Sequence, residues 1–149
     1  MSLPGLPFDG EHIIDSSAAL SLPSVPKVLG VIGAGVVGLE LGSVWRRLGA
    51  KVTILEATEN LLPAADPQIA REALRQFKKQ NLNIQLDCRV TGATAMNNGC
   101  EVVYIQGEHE LKLTVDKLVV GIGRLPNTDE FFDPATVLTH DSHGFIEVD

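Results

Sequence analysis

Cations are scarce in this chain: 12 Lys and Arg stand against 19 Asp and Glu over 149 residues, a formal net charge of −7. That leaves no basic stripe to follow a nucleic-acid backbone or an anionic membrane, which argues against both as partners. Cysteine is scarcer still. Cys88 and Cys100 are the two present, without CxxC or other short redox spacing, and the four histidines are scattered. No metal-ligand pattern results, and two buried free thiols in a reducing compartment, the cytoplasm, are expected. No apolar run reaches membrane-spanning length, and no signal peptide is visible. What remains is ordinary globular material. The chain is 44% hydrophobic with a mean hydropathy of +0.13, and is long enough for one domain with its own core.

The informative stretch is Gly33-Ala34-Gly35-Val36-Val37-Gly38. It follows a short apolar run, Val28 to Ile32, and opens a helical pattern. A second apolar run, Val52 to Leu55, ends in Glu56. Strand, glycine turn, helix, strand and carboxylate, in that order, is how a dinucleotide is held. Gly33 permits the sharp turn, Gly35 leaves room for a pyrophosphate at the positive helix end, and Gly38 lets the helix approach the strand. A helix burying Val37, Leu41, Val44 and Leu48, widened by Trp45 and closed by Gly49, is predicted. A carboxylate at Glu56 accepts both ribose hydroxyls and repels a 2′-phosphate. With no Arg among Ala57, Thr58, Glu59 and Asn60, NAD(H) is preferred over NADP(H). Taken singly, the glycines serve any tight strand-to-helix turn and Glu56 is a solvated strand-end acid. Their joint order favours the ligand.

Elsewhere the pattern predicts a short strand at Ile13-Ile14 and a short helix capped by Ser16 or Ser17. Asp66-Pro67 starts a helix running to about Gln80, with Ile69, Ala73 and Phe77 on its inner face. Asn83 to Leu86 reads as a third parallel strand. Thr91 to Met96, Cys100 to Ile105 and Leu111 to Val115 alternate around hairpin turns, an antiparallel meander where a helix is usual. Leu118 to Gly121 then returns to the parallel sheet. The fold class is α/β: a Rossmann-like parallel sheet with helices and an inserted antiparallel β-meander.

The run GAGVVGLELGSVWRRLGAKVTILE, then LLPAAD, then GIGRLPNT, resembles the central NAD-binding domain of the dihydrolipoamide dehydrogenase family. These are FAD- and NAD-linked disulfide oxidoreductases, the E3 components of 2-oxoacid dehydrogenase complexes. The resemblance covers nearly the whole chain from about Leu6. It implies that Gly33, Ala34, Gly35, Val36, Val37 and Gly38 hold the pyrophosphate and Glu56 the adenosine ribose. It further implies that Val90 flanks the adenine, Gly121 lies beneath the cofactor, and Glu40 reaches toward the nicotinamide. Arg124 is expected to serve the loop that carries it, not the ligand.

The resemblance implies FAD in the full-length protein, a homodimer partner, and lipoylated acyltransferase subunits as partners. The family's CxxxxC pair and its His-Glu acid–base pair have no counterpart in these residues, so no catalytic residue and no metal ligand is expected here. His140 and His143 do not replace the missing histidine. Residues 1–26 read as a connection from an FAD domain, 27–128 as the NAD-binding domain, and 129–149 as an exit segment. Mercuric reductase, a pyridine nucleotide transhydrogenase and a non-catalytic nucleotide-sensing module remain alternatives. An NADPH-linked glutathione reductase would need Arg where Ala57 and Pro63 stand, and a methyltransferase does not account for the meander or GIGRLPN.

Overall fold

The computed structural model describes residues 3–128 and 138–148. Residues 129–137, which open the expected exit segment, lie outside the described residues. Among the described residues, eight strands and three helices follow in chain order: β1 (Ile13–Asp15), α1 (Ser16–Leu20), β2 (Val28–Ile32), α2 (Val36–Arg47), β3 (Lys51–Leu55) and α3 (Pro67–Lys79), then β4 (Asn83–Gln85), β5 (Cys88–Met96), β6 (Gly99–Gln106), β7 (His109–Val115) and β8 (Lys117–Val120).

Five strands form one sheet in the order β1-β8-β2-β3-β4, every pairing parallel. The other three form an antiparallel sheet in the order β5-β6-β7. β1 and α1 are thus built into the fold, although their residues read as a connection in the sequence. Registers bring the strand ends level: Asp15 lies beside Val120, Val120 beside Ile32, Ile32 beside Leu55, and Leu55 beside Gln85. From β2 the chain builds outward through β3 and β4, while β8 returns on the other side of β2. That reversal makes a crevice at the carboxyl ends of β2 and β8.

Side-chain alternation sorts the parallel strands into two cores. Leu29, Val31, Val52, Ile54 and Val119 point toward the helices. Ile32, Leu55, Leu118 and Val120 point toward the three-stranded sheet and meet Val102, Tyr104 and Val115. The meander therefore covers the face that a second helical layer covers in a doubly wound fold, and the result is a helix–sheet–sheet sandwich.

Three local expectations change. In α2, Val44 is 51% and Leu48 57% exposed, while Gly38, Leu41, Gly42 and Trp45 make the buried row. The helix meets the sheet through its glycines, and a Cβ on Gly42 would stand 2.9 Å from Ile54 Cδ1. A count of apolar side chains passes over such residues. In α3, Ile69 is 62% exposed, whereas Ala70 is buried and Ala73, Leu74 and Phe77 pack on the helix-side core. The Asp66 carboxylate accepts from Gln68 N at 2.7 Å, which sets where this helix starts and hence its inner face. In α1 the cap is Asp15, accepting from Ala18 N at 2.7 Å, and neither Ser16 nor Ser17.

Cys88 and Cys100 are free, and both are buried in the core between the sheets. Burial raises the Cys88 thiol and pushes that of Cys100 up to about 11, with Asp87 and Asp9 respectively adding to the effect. At pH 8 roughly one Cys100 thiol in a thousand is then ionised, and the thiolate is the reactive form. A colorimetric thiol titration at pH 8 is expected to find no fast-reacting thiol in the native protein and two in denaturant. Rapid labelling of the native chain would contradict this burial.

Candidate functional site

A cleft of about 810 Å³ opens at the carboxyl ends of β2, β3 and β8. Seven of the ten residues proposed from the sequence line it: Gly33, Gly35, Val36, Val37, Glu56, Val90 and Gly121. Ala34 and Gly38 are buried just behind it and shape its floor.

The floor is tightly determined. Gly33 adopts φ +102, and a Cβ there would lie 2.6 Å from the Gly121 carbonyl oxygen. Its N–H donates to Leu55 O at 2.8 Å, and Gly121 N donates to Ile32 O at 2.8 Å, so the turn is bonded to strand ends on both sides. A Cβ on Gly38 would stand 2.0 Å from the Gly33 oxygen, so the helix lies directly against the turn. Gly35 is different. It is the N-cap of α2, no side-chain hydrogen bond caps that end, and a Cβ on it meets nothing within 4 Å. The open space lies where unpaired helix N–H groups favour an anion. A dinucleotide's pyrophosphate fits that geometry.

Glu56 leaves β3 at the rim. Its Oε2 accepts from Ala34 N at 2.7 Å, and its Oε1 accepts from Thr58 N at 3.0 Å. The Thr58 hydroxyl lies 2.9 Å from the same Oε1 and 2.8 Å from Asn60 O. With one proton it donates to one of the two at a time. The acid is therefore fixed to the glycine turn and retains capacity for further donors.

Glu40 is exposed on α2 and lines a second cleft, of about 840 Å³, with Leu41, Val44 and Phe77. Val36 and Val37 line both clefts, so the first turn of α2 is the ridge between them. Arg124, expected only to serve its loop, also lines both. Arg89 is a residue that sequence reasoning missed. It lines the first cleft beside Glu56 and Ala57. Hydrogen bonds from Asp87 N to Thr58 O and from Cys88 N to Glu56 O, 3.1 and 2.8 Å, draw that stretch of chain against the strand-end acid. No local motif announces such a contact. Pro63 enters the cleft in the same way, from the loop before α3.

Among the described residues no group of His, Cys, Asp and Glu could hold a metal ion, and no helix is long and apolar enough to cross a membrane.

A glycine turn with a strand-end carboxylate, at the switch point of a parallel sheet, defines a nucleotide-binding domain of Rossmann type. A family model for pyridine nucleotide-disulphide oxidoreductases matches residues 1–149, and the chain belongs to that family. It is 50% identical over 148 residues to a dihydrolipoyl dehydrogenase of Cupriavidus necator, covering 99% of this chain and 31% of that protein. Identity is 43% over 146 residues to dihydrolipoyl dehydrogenase 3 of Pseudomonas putida, covering 97% of this chain and 31% of the relative. The chain thus spans about a third of the length of these curated relatives. Among solved structures, the HOCl-induced flavoprotein disulfide reductase RclA from Escherichia coli is similar with a TM-score of 0.78 and 29% identity, over all of this chain and 34% of that one. LpdA from Mycobacterium tuberculosis superposes with a TM-score of 0.85 at 24% identity, over all of this chain and 32% of that one, a likeness of fold alone.

Proposed function

We propose that this chain is the NAD(H)-binding part of a dihydrolipoyl dehydrogenase. The carrying observation is that Glu56 and the glycine turn are hydrogen-bonded to each other inside one cleft, beside open space at Gly35. On this reading the pyrophosphate sits at the N-terminus of α2 against Gly33, Gly35, Val36 and Val37, with Ala34 and Gly38 supporting the turn. Glu56 takes the adenosine ribose, Val90 flanks the adenine, Gly121 underlies the cofactor, and Glu40 stands toward the nicotinamide end. Residues 27–128 form the body of the binding domain, to which 1–26 add β1 and α1 on the way in from a flavin domain, while 129–149 lead back to one.

The whole enzyme would reoxidise protein-bound dihydrolipoamide by way of a disulfide and FAD to NAD+. Its partners would be the lipoylated acyltransferase of a 2-oxoacid dehydrogenase complex and a second copy of itself, in the cytoplasm. NAD+ supplies the hydride acceptor. The residues described here bind and orient it, and none of them supplies the dithiol chemistry, since both cysteines are buried and unpaired.

Cofactor choice tests this reading. Glu56 accepts hydrogen bonds from ribose hydroxyls but repels a 2′-phosphate, so calorimetric titration is expected to show NADH binding about tenfold or more tighter than NADPH. Glu56→Ala should narrow that gap, chiefly by weakening NADH. Equal affinities in the unaltered chain, or a preference for NADPH through Arg89, would contradict the assignment.

A further inference from the structure

The loop between β3 and α3 contains a backbone feature that a plain connection does not require. Leu62 adopts φ +51, a region a leucine side chain disfavours. Its N–H donates to Ala34 O at 3.0 Å, and its own carbonyl accepts from Ala65 N at 2.8 Å. Leu61 is buried beside it, and the Leu62 side chain packs on the helix-side core, so the strained residue is anchored at its neighbour and its side chain. Ala34 itself is fully buried.

Glu56 holds the N–H of Ala34 at 2.7 Å. Ala34 is therefore held at both of its polar backbone atoms by the same loop region, its N–H by the strand-end acid and its C=O by Leu62. A strained conformation maintained by surrounding contacts at a binding site points to a positional role. We infer that Leu62 is a positioning residue for cofactor choice: by holding the Ala34 carbonyl it keeps the Ala34 N–H where it fixes the Glu56 carboxylate for the ribose. This rests on the NAD(H) reading above. An acid held at the ribose accepts hydroxyls and opposes a 2′-phosphate. Once its Ala34 donor is displaced, the carboxylate is held at Oε1 by Thr58 alone and can rotate out of the ribose position, so the phosphate is less opposed.

Two substitutions separate this role from packing. Leu62→Ile keeps the apolar bulk but is β-branched, and β-branched residues avoid positive φ. Leu62→Gly adopts positive φ freely and keeps the N–H, but loses the side chain from the core. Titration with NADH and NADPH is expected to show the affinity ratio falling about tenfold in Leu62→Ile, the loss of about one charge-assisted hydrogen bond. In Leu62→Gly the ratio stays within about threefold of the unaltered chain, although that variant melts at a lower temperature. An unchanged ratio in Leu62→Ile, or an equal fall in Leu62→Gly, would overturn the inference.

Should Leu62→Ile fail to fold, amide exchange in the Glu56→Gln chain decides. Glu56 reaches the loop by two routes, through Ala34 and through the Thr58 hydroxyl to Asn60, so Thr58→Val, which cuts the second route alone, is measured beside it. Exchange of the Leu62 N–H is expected to rise about tenfold in Glu56→Gln and to stay unchanged in Thr58→Val, and an equal rise in both would overturn the inference. Unchanged Leu62 exchange in Glu56→Gln would overturn the inference as well. If the unaltered chain binds neither dinucleotide, the NAD(H) reading is what fails, and the exchange measurement still reports on the coupling through Ala34.

Discussion

Gly35→Val is expected to abolish NADH binding and to leave the fold intact. In the free protein a Cβ at this position meets nothing within 4 Å, and Gly35 has φ −76 and ψ −177, extended backbone open to any residue. The added Cβ therefore meets open space, and the backbone there imposes no strain on a side chain. It does place a branched side chain in the space that an anion must enter to reach the N–H groups at the start of α2. No binding should be detected at concentrations that saturate the unaltered chain. Circular dichroism should remain α/β, and the melting temperature should move by only a few degrees, as for a surface substitution. Retained affinity would show that the ligand lies elsewhere.

Gly38→Ala is expected to do the reverse and damage the fold first. The added Cβ would stand 2.0 Å from Gly33 O, 3.1 Å from Gly33 C and 3.3 Å from Val31 Cγ1. The nearest neighbour is backbone in a turn already bonded to Leu55, so no flexible side chain can yield. Overpacking commonly costs about 1–3 kcal/mol, and a backbone clash belongs at the upper end or beyond. For a chain of this size that corresponds to a fall in melting temperature of roughly 6–12 °C, read by calorimetry or circular dichroism. Gly121→Ala is the control, since its Cβ would make ordinary contacts of 3.4 Å to Ile32 O and 3.6 Å to Gly38. If Gly38→Ala melts with the unaltered protein, α2 does not lie against the turn as described.

Much of this was legible in the chain because the signals are local. The turn glycines, the strand-end acid and the Asp66-Pro67 helix start each follow from a few adjacent residues. The meander was legible for the same reason, since its strands alternate and Asn97-Asn98-Gly99 and Gln106-Gly107 separate them. What stayed hidden depends on tertiary contact. The inner row of α2 is half glycine, so counting hydrophobic side chains does not find its face, and Val44 and Leu48, apolar and at helical spacing, point outward. Arg89 reaches the cleft only because Asp87 and Cys88 bond to the backbone of Thr58 and Glu56. Leu62 gave no signal either, because a leucine at positive φ is dictated by its partners and not by its own propensity.

The central claim is that one cleft at the β2–β8 switch point takes an NAD(H) molecule, pyrophosphate on the α2 N-terminus and ribose on Glu56. The most direct measurement is a backbone amide NMR titration of the chain with NADH. The account predicts shifts concentrated at Gly33 to Val37, Glu56, Val90 and Gly121, with the outer strand β7 and the exposed face of α3 unmoved. Shifts confined to those distant surfaces, or none in the glycine turn at saturating NADH, would contradict it.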